Sequence, residues 1–302
     1  MRIGVDLGGT KIEAIALDDG GAILARDRVP TPRHDYDAII AAIAGLVRAT
    51  ESKTGRRGSV GIAIPGTISA RTGLVKNANS TRLIGHPLDK DLARALDRPV
   101  RIANDANCFA LSEAADGAAD GKDIVFGIIA GTGVGGGVCI GGRVLAGAHG
   151  VAGEWGHNPL PRPRADELPG PACYCGRHGC IEAWCSGPAL TREFANATGR
   201  AFDAVAIAQA AREGDAQAAA VLEAFLDRFA RSISTLVNIL DPDAIVIGGG
   251  LSNLDILYAE LPARVEHYAF TTETPPLIVK NVHGDSSGVR GAAWLWPADT
   301  AS

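Results

Sequence analysis

Three cysteines and a histidine form the most concentrated group of possible metal ligands in this sequence. Cys173, Cys175 and Cys180 fall within eight residues, and His157 lies upstream of them. Three thiolates and one imidazole are the ligands of closed, tetrahedral zinc sites, so the pattern predicts structural rather than catalytic zinc. Two alternatives stay open: the cysteines are free thiols on a loop, or His178 replaces His157 as the fourth ligand.

Carboxylates follow two predicted strands. Asp6 stands directly before a glycine turn, where a carboxylate is a natural Mg²⁺ ligand beside a bound phosphate. Asp105, preceded by Asn104, is placed to take a proton from a substrate hydroxyl. The alternative is that Asn104 or Asp105 only caps the next helix. Glu154 and Glu182 flank the cysteine cluster, and by themselves are equally explained as surface charges.

Glycine is the unusual residue of the composition. It makes up 38 of 302 residues, against a usual share of about 7%. Three clusters, around Gly8, Gly131 and Gly248, each follow an apolar segment. Glycine allows close approach to a ligand, and successive amide groups in such turns bind anions. The clusters therefore predict phosphate-binding turns, with tight hairpins as the alternative.

Two better-known phosphate motifs do not fit. The segment from Gly4 through Gly9 to Lys11 has its lysine after a threonine, the reverse of a P-loop. Gly131, Gly133 and Gly136 have dinucleotide spacing, but residues 134–140 are typical of a strand, whereas that motif opens a helix. The sequence therefore argues against a P-loop and against NAD binding.

Apolar patterning predicts strands alternating with helices. Strands are expected at residues 2–7, 11–17, 22–29, 59–64, 101–103, 124–130, 134–140, 144–146 and 244–247. Helices are expected at 35–53, 104–115 and 221–240, with another after residue 250. The second run of strands, from about residue 123, repeats the strand, glycine turn and strand of the first. This order predicts an α/β protein with mixed sheets.

Composition excludes several classes of protein. With 46% hydrophobic and 21% charged residues, the chain is not expected to be disordered. A net charge of −5 argues against a general binder of nucleic acid or anionic membrane. The uncharged stretch 124–142 is better explained as two strands around a glycine turn than as a membrane span. Without a signal-peptide pattern, and with six cysteines, the chain is expected in the cytoplasm.

Taken together, these motifs resemble the ROK family of sugar kinases. The resemblance rests on six segments: Asp6-Leu7-Gly8-Gly9-Thr10-Lys11, Asn104-Asp105, Gly131-Thr132-Gly133, Glu154 with Gly156-His157, the three cysteines with Glu182, and Gly248-Gly249-Gly250. It covers essentially the whole chain, and the cysteine motif is its most specific part. Within the family, residues 76–81, 154–161 and 283–291 resemble bacterial fructokinases of the manno(fructo)kinase type.

The resemblance implies a two-domain, actin-like ATPase fold of the ribonuclease H-like kind, with a cleft between the domains. Residues 1–118 and about 286–302 would form the N-terminal lobe. Residues 119–285 would form the C-terminal lobe, with the zinc-binding loop and a nucleotide-binding hairpin.

The resemblance also assigns roles to residues. ATP would be held by Gly4, Asp6, Gly8, Gly9, Thr10, Lys11, Gly131, Thr132, Gly133, Gly135, Gly136, Gly248, Gly249 and Gly250, with Mg²⁺ at Asp6. The sugar would be held by Asn104, Asp105, Glu154, His157 and Glu182, with Asp105 as the general base. Zn²⁺ would be held by His157, Cys173, Cys175 and Cys180. The second nitrogen of His157 would then face the sugar.

The activity implied is ATP-dependent phosphorylation of a hexose, with D-fructose giving fructose 6-phosphate as the leading expectation. Alternatives are glucokinase, mannokinase and N-acetylhexosamine kinase of the same family. A sugar-responsive transcriptional repressor is a remote alternative, since it needs a helix-turn-helix segment ahead of the strand at Arg2. The expected partners are the hexose and ATP, without nucleic acid or membrane, and a homodimer is implied by the resemblance alone.

Overall fold

A computed structural model describes residues 1–78, 81–271 and 276–297. The chain divides into two compact units. The first unit contains Met1–Gly121, Gly137–Ala152 and Asp285–Ser302, and the second contains Lys122–Gly136 and Gly153–Gly284. Unlike the lobes expected from the sequence, this division places residues 137–152 with the first unit. The lobe assignment itself stays a prediction.

Strands and helices alternate along the chain. The strands are β1 (Arg2–Leu7), β2 (Lys11–Leu17), β3 (Ile23–Pro30), β4 (Ser59–Ile64), β5 (Thr67–Ile68), β6 (Val75–Lys76), β7 (Val100–Asn104), β8 (Ile124–Ala130), β9 (Val134–Ile140), β10 (Arg143–Val144), β11 (Ala244–Gly248) and β12 (Leu277–Lys280). The helices are α1 (Tyr36–Thr54), α2 (Leu88–Leu96), α3 (Asp105–Asp116), α4 (Ile181–Cys185), α5 (Gly187–Thr198), α6 (Ala204–Arg212), α7 (Ala216–Leu240), α8 (Ile256–Tyr268) and α9 (Ser287–Trp294).

The sheet of the first unit has the order β3-β2-β1-β4-β7. β1 pairs antiparallel with β2 and parallel with β4, and β4 pairs parallel with β7. Parallel neighbours end at the same edge of a sheet. Asp6, near the end of β1, and Asn104, at the end of β7, therefore belong to one edge.

Helices cover both faces of this sheet, which explains why β1 is apolar almost throughout. On one face, Ile3 and Val5 pack with Ile43 of α1 in a single core. On the other face α9 lies very close to the strands, because Gly4 and its register partner Gly61 carry no side chain. A Cβ atom at either position would overlap a backbone oxygen of α9. Successive apolar residues of β2 pack into two different cores, one on each face of the sheet.

The second five-stranded sheet has the order β10-β9-β8-β11-β12. β8, β11 and β12 are parallel, so the carboxyl ends of β8 and β11 lie side by side. The stretch 124–142, predicted to be strand, turn and strand, forms β8, a turn and β9 as expected. None of the helices within the described residues has the length and apolar character needed to cross a lipid bilayer.

The long helix α7 differs from its prediction in one respect. Its apolar stripe is buried as expected, but Asp227, Arg228 and Arg231 are buried with it. Glu167 explains this, because its buried carboxylate accepts hydrogen bonds from Arg228 Nε at 2.8 Å and Arg231 Nη2 at 2.7 Å. Although burial opposes it, the hydrogen bonds from Arg231 and the Arg164 amide lower the pKa of Glu167 to about 2. Charge pairing therefore ties the loop before the cysteine cluster to α7.

Smaller differences from the sequence expectations are local. The strand expected at 144–146 is only Arg143–Val144, although the Leu145 amide still donates to the Val138 carbonyl at 2.8 Å. After Gly250 the chain makes a 3₁₀ turn before α8 begins at Ile256. Of the segment 76–81, Asn79 and Ser80 lie outside the described residues.

Candidate functional site

The first glycine turn, residues 8–10, joins β1 to β2. Thr31 at the end of the hairpin fixes the turn, since its hydroxyl donates to the Gly8 carbonyl at 2.7 Å and its amide to the Thr10 carbonyl at 3.0 Å. Gly9 has no atom within 4 Å of the position a Cβ would take, and its φ is not in the left-handed region. Neither packing nor backbone conformation therefore requires glycine there.

Asp6 sits beside this turn in a charged environment. Its cross-strand partner is Glu13, a buried residue that forms ion pairs with Arg26 at 2.5 Å and Arg28 at 2.9 Å. Burial, followed by the negative charges of Asp105 and Glu13, raises the pKa of Asp6 to about 6, against the opposing effect of Lys11. Two facing carboxylates with cations around them suit a divalent cation and phosphates.

Asn104 and Asp105 begin α3. The side chain of Asn104 caps the helix by accepting from the Ala106 amide at 2.9 Å, and its amide nitrogen donates to the Gly66 carbonyl at 3.4 Å. Oδ1 of Asp105 also accepts from the Ala106 amide, at 2.8 Å. The capping alternative is therefore confirmed for Asn104, while Asp105 holds its carboxylate at the helix start.

Asp6 and Asp105 are neighbours of the same buried thiol. Burial, and then the charges of Asp6 and Asp105, raise the pKa of Cys108 well above its usual value. Gly288 at the start of α9 also approaches Asp6, since a Cβ there would lie 3.9 Å from the Asp6 carboxyl carbon. The first unit thus brings the predicted Mg²⁺ ligand and the predicted base to one edge of its sheet.

A cavity of about 460 Å³ opens beside the first glycine turn. Gly9 and Thr10 line it together with the side chains of Arg33, His34 and Arg82. Neither arginine forms an ion pair or hydrogen bond through its side chain with the other described residues. The space next to the turn is consequently attractive to an anion.

The second glycine turn, residues 131–133, and the third, residues 248–250, lie together in the second unit. They follow the parallel strands β8 and β11, and a Cβ on Gly131 would lie 3.5 Å from the Gly250 nitrogen. Gly249 has a φ of +82°, and a Cβ there would overlap the Ala130 carbonyl. The two turns offer bare backbone at one edge of the sheet, as a nucleotide site requires.

Glu182, at the start of α4, is bound to the second glycine turn. Its Oε2 accepts from the Val134 amide at 2.9 Å and occupies the space where a Gly133 side chain would be. The alternative that Glu182 is simply a surface charge is therefore wrong. Glu154 is exposed, one turn before His157.

Three predicted nucleotide glycines lie in the interior of strands rather than in turns, and a fourth, Gly248, is the last residue of β11. Gly4 is in β1 under α9, and Gly136 is in β9, where a Cβ would be 2.7 Å from the ring of Phe126 and 2.9 Å from that of Trp155. Gly135 is also in β9, and its carbonyl accepts from Trp155 Nε1 at 3.0 Å. Packing accounts for Gly4 and Gly136, so their assignment to ATP has no separate support here.

The cysteine cluster matches a tetrahedral donor set. The ligand atoms of His157, Cys173, Cys175 and Cys180 all lie within 4.8 Å of one another. Sγ of Cys175 and Cys180 are 3.6 Å apart, as are Sγ of Cys173 and Nδ1 of His157. Tetrahedral zinc with Zn–S of about 2.3 Å and Zn–N of about 2.0 Å separates such donors by roughly 3.5–3.8 Å. These four residues therefore fit zinc, and His178 is not part of the group.

Local backbone geometry prepares the cluster. The Arg177 amide is the main cause that lowers the pKa of Cys175, to about 7, which favours the thiolate form that binds metals. The other three cysteines, Cys108, Cys139 and Cys185, are all buried and lie outside this cluster. Gly156 lets the His157 segment approach β9, because a Cβ there would overlap the Val134 carbonyl.

Two neighbours of the predicted site were not expected from the sequence. Glu13 is a single acidic residue within an otherwise apolar strand, and that break in the pattern was its only signal. Tyr174 lies between two predicted ligands, and its hydroxyl is 3.0 Å from Nε2 of His157. Burial and the charges of Glu182, Cys173 and Glu154 raise the pKa of Tyr174.

Comparison with known proteins gives one consistent result. The ROK family profile matches residues 2–299. The chain is 42% identical to an N-acetyl-D-glucosamine kinase of Pectobacterium atrosepticum over 299 residues, which cover 98% of each chain. It is 41% identical to an N-acetyl-D-glucosamine kinase of Shigella boydii, over 99% of this chain and 100% of the relative.

Solved structures agree on the fold. A ROK hexokinase of Thermus thermophilus superimposes with a TM-score of 0.85 at 35% identity, covering 97% of each chain. A ROK family glucokinase of Streptomyces griseus, solved with glucose and AMPPNP, gives a TM-score of 0.73 at 31% identity, again covering 97% of each chain. The α/β, actin-like ATPase fold predicted from the sequence is therefore confirmed.

Proposed function

The chain belongs to the ROK family and is an ATP-dependent sugar kinase, and we propose that its preferred sugar is N-acetyl-D-glucosamine, phosphorylated on the 6-hydroxyl. The relatives at 40–42% identity that carry this activity in their names support the proposal. Fructose, the leading expectation from the sequence, has weaker support than its N-acetylhexosamine alternative. It stays in the test as a competing substrate.

The observation that carries the chemistry is that Asp6, near the end of β1, and Asp105, directly after β7, lie at the same edge of one sheet. In keeping with this placement, the charge of Asp105 helps to raise the pKa of Asp6. Phosphoryl transfer depends on positioning and on neutralising charge more than on covalent help. Asp105 would accept the proton of the attacking hydroxyl. Its Oδ1 bond to the Ala106 amide orients the carboxylate for that step. Asn104 supports the same helix start.

The glycine turns would hold the nucleotide. We assign phosphate binding to the amides of the first turn in its unit and to those of the second turn in the other unit, and contact with the nucleoside to the third turn. Thr10, Lys11 and Thr132 would complete the phosphate contacts. Asp6 would hold Mg²⁺, which supplies charge neutralisation between the phosphates when bound.

The remaining sugar contacts would come from the second unit, through Glu154, His157 and Glu182. Zinc bound by His157 and the three cysteines would act as a rigid crosslink, because four protein ligands leave no open position. Held in this way, His157 turns Nε2 away from the cluster and can orient a sugar hydroxyl. Glu182 would have one carboxylate oxygen on the second glycine turn and the other available for the sugar.

A coupled assay of ADP release tests the substrate. We expect the highest kcat/KM with N-acetyl-D-glucosamine, by at least about tenfold over glucose, mannose and fructose, since a site built for a polar group rejects sugars lacking it. Asp105→Asn protein from the same purification is the control for contaminating kinases. A higher kcat/KM with fructose or glucose would contradict the proposal.

A further inference from the structure

The hydroxyl of Tyr174 contacts Nε2 of His157, the nitrogen that the proposed function assigns to the sugar. Its hydroxyl lies 3.0 Å from Nε2, and the two rings meet edge to face with centroids 5.1 Å apart. Nδ1 of the same imidazole faces Cys173 at 3.6 Å, so Nε2 is the nitrogen pointing away from the cysteine cluster. The phenol therefore sits where a sugar hydroxyl would reach His157.

The backbone fixes where this phenol can go. The Cys173 amide donates to the Arg177 carbonyl at 2.8 Å, and the Gly176 amide donates to the Cys173 carbonyl at 3.0 Å. Tyr174 is thus held in a tight turn between two predicted metal ligands. Its ring can still rotate, but its Cα stays beside His157.

Tyr174 is not a core residue. Its side chain is 81% exposed, while the hydroxyl is turned toward His157. A tyrosine so placed offers an apolar ring face together with a polar tip. An acetamido group has the matching pair of features, a methyl group and an amide carbonyl. Glucose and fructose have no such group.

We propose that Tyr174 is a sugar-contacting residue that determines specificity for an N-acetyl group. Without sugar, its hydroxyl is bonded to Nε2 of His157. With sugar bound, a sugar hydroxyl takes that bond, while the phenol donates to the acetamido carbonyl and its ring covers the methyl group. The acetamido part rests on the proposed function, whereas the exchange at His157 applies to any hexose.

The exchange follows from ordinary imidazole chemistry. When Nδ1 faces a metal, the neutral ring carries its proton on Nε2, so Nε2–H donates. The tyrosine oxygen accepts in the free protein, and a sugar oxygen accepts in the complex. No covalent bond changes, Nε2–H has an acceptor in both states, and the phenol O–H gains the acetamido carbonyl as its acceptor in the complex.

Two substitutions of Tyr174 separate the hydroxyl from the ring. Tyr174→Phe keeps the ring, and we expect the Kd and KM for N-acetyl-D-glucosamine to rise about tenfold, the loss typical of one hydrogen bond, with kcat within about twofold. The Kd for glucose should be unchanged or up to about twofold lower, because the competing hydroxyl is gone. Tyr174→Ala should weaken N-acetyl-D-glucosamine further, by about 10–100-fold in all.

The matched control is Arg177→Ala, an exposed side chain on the same loop whose backbone contacts remain. We expect wild-type Kd values for both sugars from that variant. Calorimetry gives the Kd values, and elemental analysis gives the metal content of each variant. Unchanged metal content together with a sugar-specific rise in Kd supports a direct contact.

Two results would overturn the proposal. One is a wild-type ratio of Kd values for the two sugars in both Tyr174 variants. The other is loss of metal with equal weakening for both sugars, which would make Tyr174 a structural part of the loop. Failure of the proposed function is separate, since wild-type protein itself would then prefer another sugar. In that event the proposed acetamido contact is wrong as well. The Kd of the Tyr174→Phe variant for the preferred sugar still tests the exchange at His157.

Discussion

The first and second glycine turns have similar sequences but are built differently. At the first turn charged side chains surround the backbone, with Asp6 opposite Glu13 and arginines beyond. Gly9 there has open space around its Cβ position. At the second turn the neighbours are backbone, the third turn and the carboxylate of Glu182. At the first turn Gly8 is restricted by the Lys11 carbonyl oxygen, 2.9 Å from the position of a Cβ, whereas Gly9 is not restricted by packing. At the second turn the carboxylate of Glu182 occupies the space of a Gly133 side chain.

This difference separates two tasks. In the first unit Asp6 and Asp105 share a sheet edge, and under the proposed function they would do the chemistry. Under the same proposal the second unit would supply backbone for the nucleotide and a fixed loop for the sugar. A loss at the carboxylate of Asp105 should therefore appear in turnover, and a loss at that of Glu182 in sugar binding.

The largest effect is expected at Asp105. Asp105→Asn should lower turnover by roughly 10²–10⁴, because an amide cannot take the hydroxyl proton. The asparagine oxygen can still accept from the Ala106 amide, so the helix start and the Kd for ATP should be kept. Stopped assays of ADP release and calorimetry with an ATP analogue measure the two quantities.

The matched variant in the second unit is Glu182→Gln. Its amide oxygen can still accept from the Val134 amide, so we expect a change in sugar KM rather than in turnover. Turnover lost equally in both variants would remove the division of tasks between the units.

The next effect concerns stability at the first turn. Because the pKa of Asp6 is raised from 3.8 to about 6, ionising it lowers the stability of the folded protein as pH rises from about 4 to 6. Asp6→Asn has no such loss, so without Mg²⁺ it should be more stable than wild type by about 2–3 kcal/mol at pH 7.5.

Urea unfolding in EDTA at pH 7.5 and pH 4.0 measures this difference. It should be large at the higher pH and small at the lower one, which makes the acidic sample its own control. An equal difference at both pH values would show that charge at Asp6 is not the cause.

Substitution of a metal ligand should weaken the binding of sugar and leave the binding of nucleotide nearly unchanged. Purified without chelator, the protein should contain one zinc per chain by elemental analysis. Cys175→Ser should weaken sugar binding by about 10–100-fold while the Kd for ATP stays within about twofold. Cys139→Ser is the comparison, at a buried cysteine of β9 outside the cluster. Equal loss of sugar and ATP binding in Cys175→Ser would indicate unfolding instead.

Local apolar patterns predicted most of the strands and helices, whereas contacts between residues far apart in the sequence could not be predicted. Nearly continuous apolar segments predicted β1, β2, β8 and β9, because both faces of those strands are largely buried. The charges of α7 could not be predicted, because Glu167 lies about sixty residues earlier in the chain. The same applies to Asp6 and Cys108, which only the folded sheet brings together.

The candidate site was predictable where ligands are close in sequence. The cysteine spacing fixed three of four metal-compatible residues, whereas the choice of His157 over His178 needed the structure. The sugar could not be derived from motifs, since the residues that distinguish hexoses act through pocket shape. Tyr174 shows this well, because its position between two cysteines says nothing about where its hydroxyl points.

The smallest effect compares single glycines of the two kinds of turn. Gly249→Ala forces a side chain into left-handed backbone and against the Ala130 carbonyl, so it should cost about 1–2 kcal/mol of stability. Gly9→Ala meets no atom within 4 Å, so its stability should match wild type while the KM for ATP rises about tenfold. Thermal unfolding of the two variants and their KM values check this directly. A stability loss in Gly9→Ala would mean that packing requires glycine in the first turn as it does in the third. Packing would then no longer distinguish these two turns.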